Sequence, residues 1–417
     1  MRYIADLHIH SKYSRACSKD LDLPHINQWA KIKGIDIVGT GDFTHPYWLK
    51  HLKESLIEAK PGLFKLRNNP ESAFFMLTTE FSCIYSEAGK VRRLHICVFV
   101  PSFEAIDRII TELSKRKVNL ASDGRPIMGL SARELAKIVL VAEPKSLVIP
   151  AHAWTPWFSV FGSYSGFNSL AECFGELASY IYSIETGLSS DPPMNWRLSS
   201  LDKITLISNS DAHSPANLGR EANVFEINEK DLSYSEIYRI IKEKDKNKFL
   251  YTIEFFPEEG KYHFDGHRDC KIQFSPSQTK KNQGICPVCK KPLTIGVLNR
   301  VDQLADRQEG FKLDTIPYKS LVPLPEIIAD VLAVGKGSKK VNTIYQDLIS
   351  RGGSEFKILL DLSEAELSRI TEPEIATTIK NVREGKVEIS AGYDGVYGIV
   401  KVINSKDQIK PRQKSLF

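Results

Sequence analysis

The sequence predicts an α/β barrel, followed by a small metal-binding module and a mostly helical C-terminal region. Three observations predict it. Through residues 1–245, short apolar strands alternate with helix-like stretches; a Cys-x-x-Cys knuckle follows at Cys286 and Cys289; and residues 311–417 carry helix-start signals in place of strand alternation. Alternation of strand and helix implies parallel pairing, and about seven such units favour a closed barrel over an open sheet. At 417 residues the chain is too long for one typical domain. The expected division is 1–245, 246–310 and 311–417.

The strands are read in order. Tyr3-Ile4-Ala5 leads to Asp6-Leu7-His8-Ile9-His10, and Ile35 to Thr40 leads to Gly41-Asp42. Phe74 to Thr79 leads to Glu80, while Leu94 to Val100 has His95 near its start. Leu147 to Pro150 leads to Ala151-His152, Tyr182 to Ile184 to Glu185-Thr186, and Ile204 to Ile207 to Asn209-Ser210-Asp211-Ala212-His213. Helices are expected over His25–Lys33, Phe103–Lys115 and Ala132–Val141.

The acids and histidines cluster at these strand ends. Alternate residues of an extended segment share a face, so His8 and His10 point the same way and can offer two nitrogens to one metal ion. In parallel α/β folds the C-terminal strand ends share the face on which active sites are built. His8, His10, Asp42, Glu80, His152, Asp211 and His213 all lie at or just after such ends. Mixed imidazole and carboxylate ligands suit zinc, manganese or iron, and carboxylates can bridge two ions. Such paired ions generate hydroxide and stabilise the attacking and leaving oxygens at phosphorus. No GxGxxG follows a strand and no GxSxG elbow occurs, which argues against dinucleotide binding and a serine nucleophile.

These segments, DLHIH, GTGD, TTE, LHI, PAH and SDAH, resemble the PHP (polymerase and histidinol phosphatase) superfamily. The resemblance implies a PHP-type (β/α)7 barrel holding two or three divalent metals (Zn, Mg or Mn). It implies His8, His10, Asp42, Glu80, His95, His152, Asp211 and His213 as ligands, with Asp211, His213 and Glu80 at the catalytic step. His95 enters on the resemblance alone, because it starts its strand. Most members have TDH where this chain has Thr40-Gly41-Asp42, so an oxygen ligand stands in place of an imidazole. Many members also supply an acid soon after HxH; Cys17 and Asp20 are the candidates, and that ligand stays open.

Aromatics crowd the loop after His152: Trp154, Trp157, Phe158, Phe161, Tyr164 and Phe167. Some should rim the pocket and hold an unstacked base. Arg197, after Asp191-Pro192-Pro193, is a candidate phosphate contact, with a structural ion pair as the competing reading.

The charged run Lys242 to Lys248 marks the first boundary. Beyond it, residues 260–291 hold seven Lys or Arg against two acids. Within that stretch Cys286-Pro-Val-Cys289 offers two thiolates, and His267 with Cys270 completes a Cys3His set for one structural zinc, His263 being the fallback ligand. The redox reading of CxxC needs a thioredoxin-like βαβ context, which is absent. Further on, Gly335-Lys336-Gly337-Ser338-Lys339-Lys340 is a turn that can face a phosphate backbone. Val387–Val402 reads as a hairpin carrying Tyr393 and Tyr397. Lys336, Lys339, Lys340, Tyr393, Arg197 and Trp154 are the DNA-binding candidates.

The GHRDC…CPVC module, LTIGVLNRVDQLADR, PYKSLVPLPEIIA and GYDGVYG together resemble the archaeal endonuclease Q family. That resemblance implies a metal-dependent DNA repair endonuclease cutting 5′ to deaminated bases (uracil, hypoxanthine, xanthine) or abasic sites, leaving 3′-hydroxyl and 5′-phosphate ends. The tail Gln413-Lys-Ser-Leu416-Phe417 is similar to the start of a QxxLxxFF sliding-clamp motif whose aromatics would lie past Phe417. Two other readings are a histidinol-phosphatase-like enzyme, which needs neither zinc module nor basic region, and a non-catalytic repair scaffold, which needs no ligand set. The net charge of +5 permits DNA binding without demanding it. With no apolar run to span a bilayer and no signal peptide, a cytoplasmic, nucleoid-associated monomer with reduced thiols is expected.

Overall fold

The computed structural model describes residues 1–402. The expected clamp contacts, Gln413 and Leu416, lie outside the described residues. Strands β1 (Arg2–Asp6), β2 (Ile37–Gly39), β3 (Leu56–Lys60), β4 (Leu63–Leu66), β5 (Phe74–Glu87), β6 (Lys90–Val100), β7 (Ile127–Met128) and β8 (Leu147–Pro150) precede a separate parallel pair, β9 (Ser183–Glu185) and β10 (Thr205–Ile207). They are followed by β11 (Ala222–Glu226) and β12 (Phe249–Glu254), then by β13 (Asp265–His267) and β14 (Ile272–Phe274), which form a hairpin of their own, and by β15 (Tyr318–Ser320). The main sheet runs β15-β12-β11-β1-β2-β5, from which β4-β3 and β6-β8 branch, with β7 also on β5. Backbone bonds carry the wall onward: Ala153 N donates to Glu185 O, and His10 N donates to Ala212 O.

The sheet is mixed, which departs from the parallel pairing expected. β6 pairs antiparallel with β5 and β8, and β11 antiparallel with β1. The cause for β6 is local. Ala88 and Gly89 have φ of 49° and 74°, the double left-handed turn that closes a two-residue hairpin, so no helix intervenes. A reversed strand starts where its neighbours end, and His95 therefore reaches the same mouth as the other candidate ligands. β5 also runs on to Glu87, placing Glu80 in mid-strand rather than at an end.

Both faces of the sheet are covered. Tyr3, Ala5, Leu7, Ile37, Met76, Phe99, Ile149 and Ile207 form one buried cluster, while the alternating Ile4, Val38, Phe75, Leu77, Val98 and Val148 join the helices in a second. Two-sided burial explains why these strands read as continuous apolar runs. The expected helices form. Phe103–Lys115 is capped by Ser102, Ala132–Ala142 starts with a Ser131/Glu134 capping box, and Leu23–Lys33 is capped by Asp22 and stopped by Gly34 at φ 84°.

The main sheet continues past the expected boundary at 245. β12 pairs with β11 (Ala222 with Ile253) and β15 with β12 (Thr252 with Tyr318), so the sheet draws on segments as far as Ser320. The run Lys242 to Lys248 is a helix end and turn, with Arg239 bridging Glu236, Glu243 and Asp245. After β15 come helices Leu324–Leu332, Lys339–Gly352, Glu364–Ile370 and Pro373–Arg383, then the hairpin β16 (Val387–Ser390) and β17 (Ile399–Val402). A buried ion pair, Lys33 Nζ to Glu355 Oε2 at 2.7 Å, docks this region on the first helix of the sheet.

Candidate metal centre

The site starts from the end of β1. His8 and His10 are both buried, and each turns its Nε2 into the mouth because its Nδ1 is held from behind. His8 Nδ1 donates to Glu185, 3.0 Å from Oε2, and His10 Nδ1 donates to Asp42 Oδ1 at 3.1 Å. Imidazole–carboxylate pairs of this kind fix the tautomer that leaves the other nitrogen's lone pair free for a cation.

Two ligand groups meet at Glu80. His8, His10, Glu80 and Asp211 bring ligand atoms within 4.8 Å of one another, as do Glu80, His95 and His152. Glu80 Oε1 lies 2.9 Å from His95 Nδ1 and 3.2 Å from His152 Nε2, while Oε2 is 3.4 Å from His10 Nε2. Asp211 Oδ1 is 3.1 Å from His10 Nε2 and 3.7 Å from His8 Nε2. Burial alone would raise the Glu80 pKa, yet His95, Arg125 and His8 hold it well below the usual carboxylate range. His8 Nε2 is buried without a hydrogen-bond partner. An orphaned, correctly tautomerised nitrogen facing two carboxylates is what a divalent cation would satisfy, so the residues fit the metals that the motifs imply.

The backbone is strained where it delivers these groups. Asp42, His152 and Asp211 have φ of 49°, 30° and 46°. Left-handed non-glycine residues cost of order 1–3 kcal/mol and concentrate at functional sites.

Several expected residues stand elsewhere. Asp42 lies behind His10 rather than beside it. Its Oδ2 accepts from Ser11 N and Ser11 Oγ at 2.6 and 2.7 Å and from Ser14 Oγ at 2.8 Å, so both oxygens are engaged away from the mouth. His213 packs edge-on to His10 at 4.7 Å and donates Nδ1 to Asp211 O at 2.8 Å, outside both ligand groups. Neither Cys17 nor Asp20 joins a group. Glu185 and Arg125 went unassigned in the sequence. Glu185 had a signal, since it ends a strand like the ligands do; Arg125 lies on a loop with none.

The second cluster is the Cys3His set, as expected: His267, Cys270, Cys286 and Cys289 bring ligand atoms within 4.8 Å. His267 ends β13, Lys271 at φ 53° turns the hairpin, and Lys290 N donates to Cys286 O in the knuckle. His263 is excluded from the set. Four N/S ligands suit one tetrahedral structural ion.

The DNA-binding candidates divide. Trp154 is fully buried, its Nε1 donating to Asn195 Oδ1 at 2.8 Å, so it is core. Arg197 is also buried, bound to Asp302 at 2.7 Å and to the Arg307 carbonyl, which makes it the structural ion pair. Tyr393 bridges to Phe264 and lies over Gly266, where a Cβ would meet its ring at 2.4 Å. Lys336 is exposed but bound to Glu326 at 2.8 Å. Lys339 and Lys340 are exposed at a helix start. Other aromatics reach solvent as well as Tyr393. Trp157 and the half-exposed Tyr164 stack at 4.6 Å with 3° between planes, Tyr262 meets Trp157 edge-on at 5.4 Å, and Lys261 lies over both Tyr262 and the exposed Tyr397.

Among solved structures, the lesion-specific endonuclease PfuEndoQ from Pyrococcus furiosus matches with a TM-score of 0.86 and 33% identity over 98% of both chains. This chain belongs to the endonuclease Q family. A second structure of the family, endonuclease Q with a 27-mer duplex bearing an abasic lesion at the active site, matches with a TM-score of 0.84 and 32% identity over 100% of both chains. Residues 323–386, the helical part beyond the sheet, match the model of the MJ0043 C-terminal domain. The uncharacterized protein MJ0043 of Methanocaldococcus jannaschii is 34% identical over 251 residues, which is 59% of this chain but only 31% of that longer protein. No helix among the described residues is long and apolar enough to cross a membrane.

Proposed function

We propose that this protein is a metal-dependent DNA repair endonuclease. Its PHP-type (β/α)7 barrel, extended through β12 and β15, hydrolyses the phosphodiester bond 5′ to uracil, hypoxanthine, xanthine or an abasic site, leaving 3′-hydroxyl and 5′-phosphate ends. The observation that carries the reading is Glu80, shared between two ligand groups with an oxygen turned to each, in a chain of the endonuclease Q family. Two or three divalent ions (Zn, Mg or Mn) held there would supply activated water and charge stabilisation at phosphorus. A single zinc on the Cys3His set would fold the module.

The chain's own residues do the rest. Glu185 and Asp42 fix His8 and His10 as neutral donors, and the buried walls keep bulk water from the carboxylates. Asp211, its side chain 27% exposed, is the acid that meets substrate at the mouth. His213 keeps Nε2 for a ligand or a proton, because Nδ1 is committed to the Asp211 carbonyl. A lesion-bearing nucleotide unstacks at lower cost than an intact one. The Trp157–Tyr164–Tyr262 stack and Lys261 offer rings and charge to bases and backbone beside the mouth, and Lys339 and Lys340 add phosphate contacts. The same reading has a monomer work in the cytoplasm near the nucleoid, with Gln413 and Leu416 touching a sliding clamp.

The test is an end-labelled duplex carrying one abasic site, uracil or hypoxanthine, incubated with Mg²⁺ or Mn²⁺. A single nick 5′ to the lesion that disappears in Asp211→Ala is expected. Uncut DNA alongside hydrolysis of small phosphomonoesters would overturn the proposal.

A further inference from the structure

Arg125 is a guanidinium at the metal centre, bonded directly to Glu80, that the ligand groups do not explain. Its Nη1 donates to Glu80 Oε2 at 3.0 Å, and its side chain remains 22% exposed at the mouth. Its other side-chain N–H groups make no hydrogen bond among the described residues.

The loop that carries it is built to hold it still. Asp123 is buried and its Oδ1 accepts from the backbone N–H of Arg125 at 3.1 Å and of Arg15 at 3.2 Å. Gly124 N donates to Tyr13 O, and a Cβ on Gly124 would meet Asp42 Oδ2 at 2.3 Å and Ser14 Oγ at 2.4 Å. Only glycine lets the loop pass this close to the support of His10. Pro126 O then accepts from Ser82 N, tying the loop to the strand that bears Glu80. A side chain serving only as a counter-ion needs no such anchoring.

The geometry points to Arg125 as a catalytic residue that binds a non-bridging oxygen of the scissile phosphate. The reasoning is one of charge. Glu80 is the anion Arg125 answers in the protein alone; a cation held by that carboxylate would take over the neutralisation. The guanidinium then needs another anion within reach, and its planar fork matches a phosphate with two parallel N–H donors. Placed before substrate arrives, it stabilises charge gained at phosphorus without reorganising. This inference rests on the proposed phosphodiester hydrolysis at the same centre.

The experiment compares wild type, Arg125→Gln and Arg125→Lys, each loaded with Mn²⁺, in two readouts: inorganic phosphate affinity by isothermal titration, and single-turnover cleavage of abasic duplex. Arg125→Gln should weaken phosphate binding at least about 10-fold and slow cleavage by about 10²-fold. Arg125→Lys, charged but without the fork, should fall between them and guard against misfolding of the glutamine variant. Metal content and melting temperature should stay at the wild-type level. Unchanged phosphate affinity in both variants would overturn the assignment, as would loss of bound Mn²⁺, which would make Arg125 a support for Glu80. If wild type binds phosphate through Arg125 yet leaves the duplex intact, the endonuclease reading fails and the phosphate contact survives.

Discussion

The carboxylate of Asp42 holds His10 from behind, with Oδ1 3.1 Å from Nδ1, while its other oxygen is gripped by Ser11 and Ser14. Partners of this kind orient a ligand and raise its basicity, and losing one costs about 10–100-fold in metal affinity or activity. Asp42→Ala should lower Mn²⁺ affinity by that range, measured by metal titration, whereas a bound metal lost outright would mark Asp42 as a ligand itself. Ser14→Ala should produce a smaller loss, because Ser11 still holds the same oxygen.

Glu254 at the end of β12 and Glu221, the residue before β11, are both fully buried. Burial, reinforced by Asp191, pushes Glu254 up to about 8, and the same burial beside Glu254 raises Glu221. A carboxyl raised in the folded state keeps its proton there and gives it up when unfolded. Its stabilisation is therefore complete below the ordinary value of 4.5 and is lost as pH rises toward about 8. Unfolding free energies from pH 5 to 9 should show wild type losing about a few kcal/mol relative to Glu254→Gln at the alkaline end. Parallel curves for the two proteins would disprove a proton held on Glu254 in the folded state.

Trp154 and Tyr164 lie ten positions apart on one loop and should behave oppositely. Trp154→Ala empties a fully buried position and should cost roughly 3–5 kcal/mol of stability. Tyr164→Ala removes a half-exposed ring stacked on Trp157; it should leave the melting temperature nearly unchanged and weaken DNA by about 1–3 kcal/mol. Fluorescence anisotropy with a lesion duplex beside a melting curve separates them.

Cys286→Ser should remove metal from the Cys3His set, read by elemental analysis, and leave metal binding at the Glu80 groups unchanged. A site that folds its own module loses local order with its metal. Proteolysis between residues 260 and 295 should accelerate, and DNA affinity should drop, while the far-ultraviolet signature of the sheet persists. Retained metal would assign the ion to other ligands.

What the sequence disclosed depended on whether a constraint was local or collective. Strand ends bearing His8, His10, His152 and Asp211 were legible because a metal cage forces convergent ends to carry polar groups. The Cys3His set was legible because thiolates at that spacing have few other uses. Asp42 was placed on the wrong side of His10, since a supporting carboxylate and a ligand carboxylate read alike in a string. The antiparallel course of β6 hid in the turn at Ala88-Gly89, whose backbone conformation no apolar period reports. Between the two readings left open for Arg197, and for the aromatic Trp154, the string offers no choice: in an irregular loop burial follows no period, and the packed neighbours Asp302 and Asn195 are what the structure adds.

The backbone bridge between Ile9 and Ala212, with His10 N bonded to Ala212 O, has a consequence for biosynthesis. It joins the first ligand arm to emerge from the ribosome to the last, across some two hundred residues of chain. His8 and His10 are made first, Asp42, Glu80 and Glu185 follow as their partners, and Asp211 comes last of the ligand group. A nascent fragment therefore holds only scraps of the cage and has no means of hydrolysing nucleic acid. The cage is complete only once the segment bearing Asp211 docks beside Ile9 and His10.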